Sequence, residues 1–153
     1  MTRSAFDVIA RLQGMTLATA ESCTGGGIGD ALTAVPGASN VYKGGVISYC
    51  NEIKQKLLNV PEEILAEYGA VSAPVAEAMA RGARNALNAD IAVSVTGLAG
   101  PSGDEFGNPV GTVYIGYAGA NICLSRRFLF DGDRAAIRAQ AVEAALKLIL
   151  EYA

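Results

Sequence analysis

The chain has 153 residues, enough for one compact domain with a real core and too few for two. It is 51% apolar and 18% charged, which excludes a disordered chain. The net charge is −3 and the twelve Lys and Arg are scattered, so a nucleic-acid partner is not expected, while a single small phosphate remains open.

Met1 to Asp7 lacks the apolar core of a signal peptide, and no stretch reaches the ~18 uninterrupted apolar residues of a membrane span. The expectation is a cytoplasmic protein without a membrane partner. Cys23, Cys50 and Cys123 are odd in number and widely spaced, which argues against a disulfide framework and reads as core packing. Histidine is absent, so Ser-His-Asp and Cys-His triads and the HExxH zinc motif are all excluded.

Ala5 to Leu12 reads as a first helix with Phe6, Ile9, Ala10 and Leu12 on its apolar face, ended by Gly14. Met15 to Ala20 reads as a buried strand. Thr24 can cap a second helix that carries Ile28, Ala31 and Leu32 and stops at Pro36-Gly37. Asn40 to Tyr49 is a strand in which Gly44-Gly45 suggests a bulge. Asn51 to Leu58 and Pro61 to Tyr68 are helical, and Pro74 opens a longer helix to about Leu87.

Asp90 to Thr96 is a strand that breaks into the loop Gly97 to Pro109. Val110 to Ala118 and Ile122 to Phe130 form a hairpin, and Asp133 caps a last helix, Arg134 to Leu150. Helices alternating with short β-branched runs, closed by an antiparallel hairpin, predict a single α/β domain over 1–153. Its architecture is a three-layer α/β/α sandwich with a mixed sheet. The alanine-rich helices favour a homo-oligomer.

Three loops follow predicted strands, the place where open α/β sheets bind ligands. In Ala20 to Gly27, the elbow exposes the hydroxyl of Ser22, and the first-turn amides form a site for phosphate or an oxyanion. Ser22 and Thr24 could equally be simple helix caps. No Lys-Ser or Lys-Thr follows the glycines, so this is not a nucleoside-triphosphate loop. Ser48 to Lys54 brings Tyr49 and Lys54 towards the same crevice. Without histidine, a lysine of lowered pKa is the natural base for a serine, although Lys54 and Lys56 also read as a solvated helix face. In Thr96 to Gly103 the glycines bring backbone amides near a substrate or merely serve a turn.

Together these loops resemble the C-terminal domain family of the competence/damage-inducible protein CinA. The motifs are Ala20 to Gly26 (AESCTGG), Tyr49-x-Asn51-x-x-Lys54, Gly69 to Ser72, Thr96 to Pro101, Pro109 to Val113 and Gly132 to Arg134. The resemblance implies hydrolysis of the carboxamide of nicotinamide mononucleotide to nicotinic acid mononucleotide and ammonia, a step of pyridine-nucleotide salvage. It implies no metal and no cofactor. Ser22 would be the nucleophile, Lys54 its base, and Tyr49 a hydroxyl that relays or holds the proton. Thr24, Gly25 and Gly26, with Thr96, Gly97, Ala99 and Gly100, would cradle the substrate, and Ser39 and Arg134 would orient it or its phosphate. Cys50 stands where the family often has Ser, and Asp104 where a second glycine is common. The competing reading is a nucleotide-binding or competence-associated module without catalysis.

Overall fold

The computed structural model describes residues 2–153. In chain order the elements are α1 (Arg3–Arg11), β1 (Leu17–Glu21), α2 (Gly27–Thr33), a 3-10 turn (Ala38–Asn40), β2 (Tyr42–Ile47), α3 (Asn51–Leu58) and α4 (Glu62–Tyr68). They are followed by α5 (Ala73–Leu87), β3 (Ile91–Gly97), β4 (Thr112–Ala118), β5 (Cys123–Leu129) and α6 (Arg134–Tyr152). The sheet runs β2-β1-β3-β4-β5. Its first three strands are parallel, and β4 and β5 are antiparallel to their neighbours. This is the expected mixed sheet between two helical layers.

Strand alternation divides the core between the two faces. Leu17 of β1 and Ile91, Val93 and Val95 of β3 pack with α1, α2 and α6 around Leu32, Ile137 and Leu146. The opposite positions, Ala18, Ala20 and Ala92, are small, and α5 lies on them through Val75, Met79 and Ala83. Close approach is required there. A Cβ at Gly116 of β4 would stand 2.3 Å from the Ala76 carbonyl oxygen, and the Ser94 hydroxyl donates to that carbonyl at 2.5 Å. On the edge strand the register slips opposite Leu17 and Ala18, which pair with Tyr42 and Gly44. A Cβ at Gly45 would collide with Thr19 Oγ1 at 2.1 Å. This irregularity is what Gly44-Gly45 foreshadowed.

Several boundaries move. β1 starts at Leu17 because Thr16 is taken by Asp90, whose carboxylate accepts from the Thr16 amide at 2.8 Å. β2 starts at Tyr42, since Asn40 belongs to the 3-10 turn. Thr24 does not cap α2. The N-cap is Gly26 in the left-handed region (φ 103°), and the Thr24 hydroxyl donates instead to the Glu21 carboxylate at 2.6 Å. Asp133 does cap α6, accepting from the Ala136 amide at 2.9 Å.

β1 has β2 on one side and β3 on the other, so the chain winds away from β1 in opposite directions. A crevice opens beyond the carboxyl ends of these strands, at the switch point typical of ligand sites in open α/β sheets. The three glycine- and hydroxyl-bearing loops leave the sheet here.

Candidate active site

Ser22 is the first residue past β1, anchored where its amide donates to the Val95 carbonyl of β3 at 3.1 Å. Lys54 comes from the first turns of α3, one helical turn before Leu58 on the same buried face. The lysine is 1% exposed. Its Nζ lies 2.8 Å from the Ser48 carbonyl oxygen, to which it donates, and 3.1 Å from Ser22 Oγ. Burial lowers its pKa from 10.5 to about 8, against an opposing influence of the Cys50 and Cys23 thiols. Of the two sequence readings of this residue, the solvated helix face is therefore excluded. A neutral amine here can donate to Ser48 and accept the proton of the Ser22 hydroxyl.

Around this pair lies a cleft of about 280 Å³, lined on one side by Tyr49 and Asn51 and on the other by Thr96 to Gly100, with Arg134 at its rim. The Thr96 hydroxyl donates to the Ala70 carbonyl at 2.8 Å and so ties β3 to the start of the α5 region. Arg134, at the first turn of α6, donates to the Gly100 carbonyl at 2.7 Å and to the Tyr49 hydroxyl at 2.9 Å. Tyr49 is 61% exposed. Its hydroxyl accepts from Arg134 and makes no hydrogen bond to Ser22 or Lys54, with which it shares the cleft.

Matching the chain to known families places residues 3–153 on the CinA C-terminal domain. The chain belongs to that family. A CinA-like protein of Geobacter sp. (strain M21) is 48% identical over 145 residues, covering 95% of this chain and 35% of that protein. One of Synechococcus sp. (strain RCC307) is 53% identical over 141 residues, 91% of this chain and 34% of that protein. The chain thus spans about a third of the length of these curated relatives. The fold agrees closely with crystal structures of family members. For the CinA superfamily protein from Escherichia coli the TM-score is 0.95 at 35% identity, over 98% of this chain and 88% of that one. For the competence/damage inducible protein CihA from Agrobacterium tumefaciens it is 0.91 at 36% identity, over 99% and 96%.

Within this family fold the expected site residues separate. Ser22, Tyr49, Lys54, Thr96, Gly97, Ala99, Gly100 and Arg134 share one cleft. Ser39 does not. It sits in the 3-10 turn before β2, whereas Ser22 follows the parallel β1, so the two lie at opposite ends of the sheet, roughly 20 Å apart. Thr24, Gly25 and Gly26 turn away from the cleft, and the first-turn amides of α2 are already used. Glu21 Oε1 accepts from the Gly26 and Ile28 amides at 3.2 and 2.9 Å, and Oε2 from the Gly29 amide at 3.0 Å. The Gly25 amide donates to the Ser22 carbonyl. The amides of Cys23 and Thr24 are left uncommitted among the described residues, and Cys23 borders the cleft.

The residues that sequence reasoning missed are those that hold the loops. Arg138 of α6 donates to the Cys23 carbonyl at 2.9 Å and the Thr24 carbonyl at 3.1 Å, clamping the elbow from behind. The side chain of Glu21 and the carbonyl of Ser48 hold the two sides of the cleft. A part-buried Arg-to-carbonyl contact 115 residues away in sequence leaves no local signal, but the acidic residue at the end of an apolar strand was itself one. Cys23 is buried beside Ser22, and burial pushes its thiol up to about 11.

Proposed function

We propose that this domain hydrolyses the carboxamide of nicotinamide mononucleotide, releasing ammonia and nicotinic acid mononucleotide, with Ser22 as nucleophile and Lys54 as general base. The observation that carries the reading is the buried Lys54 Nζ 3.1 Å from Ser22 Oγ, held by a neutral carbonyl, with no histidine in the chain to do the same work.

The geometry supports this chemistry. Neutral Lys54 takes the Ser22 proton as Oγ bonds to the carboxamide carbon, and the resulting ammonium gives that proton to the departing nitrogen as the C–N bond breaks. The tetrahedral oxyanion is met by backbone amides, of which that of Cys23 is uncommitted and adjoins the nucleophile. Water then attacks the nicotinoyl ester with Lys54 again accepting a proton, and Ser22 leaves with it. Arg134 supplies the cation for the phosphate. Two of its nitrogens engage Gly100 and Tyr49, and its planar fork retains further donors for a phosphate oxygen.

The test is direct. The purified chain incubated with nicotinamide mononucleotide should release ammonia and nicotinic acid mononucleotide in equal amounts. Absence of both products, with a folded protein, rejects the substrate assignment.

A further inference from the structure

One buried ionisable group adjoins the Ser22–Lys54 pair without touching it. Glu21 is 2% exposed, and its carboxylate forms no salt bridge among the described residues. It is satisfied instead by the Thr24 hydroxyl and the Gly26, Ile28 and Gly29 amides at 2.6 to 3.2 Å. A short helix can be capped far more cheaply, by an exposed Ser, Asp or Asn at the N-cap, than by a carboxylate buried at the end of a strand.

The local chain is shaped around this carboxylate. Gly25 (φ 59°) and Gly26 (φ 103°) are both left-handed, a pair that turns the backbone so that the next amides converge on Glu21. Gly29 has no room for a side chain, since a Cβ there would stand 2.8 Å from the Tyr42 hydroxyl and 3.6 Å from Glu21 Oε2. The main chain of the same residue faces the base. The Glu21 carbonyl accepts from the Ser48 amide at 2.7 Å and the Ser48 hydroxyl at 3.3 Å, and the Ser48 carbonyl accepts from Lys54 Nζ at 2.8 Å.

We propose that Glu21 is a positioning residue for Ser22: its carboxylate gathers the Thr24–Gly29 elbow and so fixes Oγ against Lys54 Nζ. The proposal rests on the Ser-Lys reading above and adds a residue that acts through Ser22 rather than on the substrate. Gln at this position keeps one acceptor oxygen but turns an NH₂ towards a converging N–H donor, which should loosen the elbow without emptying the space. A misplacement of about 1 Å at a reacting atom costs roughly 10²-fold in rate.

The experiment compares the full chain with Glu21→Gln and Thr24→Val, using Ser22→Ala as the blank. Three quantities are read: steady-state turnover of nicotinamide mononucleotide, the rate of covalent labelling by a fluorophosphonate located on Ser22 by peptide mass spectrometry, and the melting temperature. For Glu21→Gln, kcat should fall about 30- to 100-fold with KM within about 3-fold, and Ser22 labelling should slow in parallel. Thr24→Val, which removes one donor and keeps the shape, should slow labelling by several-fold, and it decides the matter if Glu21→Gln does not fold. A folded variant that labels Ser22 and turns over substrate at wild-type rates overturns the proposal and leaves Glu21 as a cap. Labelling does not involve the nucleotide. Slowed labelling in a protein whose wild type ignores nicotinamide mononucleotide therefore sinks the substrate assignment alone and supports the role of Glu21.

Discussion

Replacing Lys54 by Met should leave the protein inactive and more stable at neutral pH. The ammonium is the form penalised by burial, so between about pH 8 and 10.5 the native state binds fewer protons than the unfolded chain. Stability therefore rises with pH through that window, and the cost is present in full below pH 8. A fall from 10.5 to about 8 corresponds to a cost of about 3 kcal/mol. Methionine fills most of the same space without it, but leaves the Ser48 carbonyl without its donor, a loss of ~1–2 kcal/mol. The net gain is ~1–2 kcal/mol, or a few degrees in melting temperature for a chain of this size. Thermal denaturation at pH 7 measures it, and the advantage over wild type should shrink as the pH approaches 10. Activity should behave oppositely. Wild-type kcat/KM should rise about tenfold per pH unit up to about 8 and then level off. Lys54→Arg should be nearly as inactive as Lys54→Met, because guanidinium keeps its proton. A Met variant clearly less stable than wild type, or an Arg variant near full rate, would refute the buried-base argument.

Ser22→Ala should remove amide hydrolysis by ~10³-fold or more while keeping the melting temperature within a few degrees, measured by ammonia release and thermal denaturation. Normal turnover would transfer the role to another hydroxyl or thiol. Cys23→Ser should keep most of the activity, because burial holds that thiol protonated at neutral pH and it packs rather than reacts. Complete loss in a folded protein would contradict this. Arg134→Gln should raise KM for nicotinamide mononucleotide by ~10- to 100-fold, the value of one charged hydrogen-bond set, with a much smaller effect on nicotinamide riboside. An equal effect on both compounds would mean that Arg134 only supports Tyr49 and Gly100.

The layering was legible because helical and strand periods alternate along the chain, and α3 lies where the Asn51 to Leu58 pattern put it. Three strand-end loops converge for a topological reason that the sequence carries only partly. Alternation announces parallel strands, but only the order β2-β1-β3 places Ser22 between the other two loops. The parallel pairing of β2 with β1 removes Ser39, whose position before β2 puts it at the far end of the sheet. Lys54 and Lys56 look alike in sequence, yet the i to i+4 spacing from Lys54 to buried Leu58 was the available sign that one of them faces inward. The Thr24 cap failed because a buried carboxylate with two acceptor oxygens wins the α2 amides over one hydroxyl. The local sign of that competition was Glu21 itself, an acidic residue at the end of an apolar strand three residues before Thr24.

Two opposite charges thus lie buried on either side of Ser22 without pairing, an arrangement that stability alone does not favour. Were the Glu21 carboxylate to reach Lys54, it would stabilise the ammonium, raise the lysine pKa and remove the base from its working range. Instead its acceptor capacity is absorbed by three backbone amides and a hydroxyl on the α2 side, while Lys54 is offered a neutral carbonyl and a neutral hydroxyl. The elbow therefore separates two jobs that a simple ion pair would merge. The negative charge organises the loop beneath the serine, and the lysine is left with only neutral hydrogen-bond acceptors, which is the condition for a free amine near neutral pH.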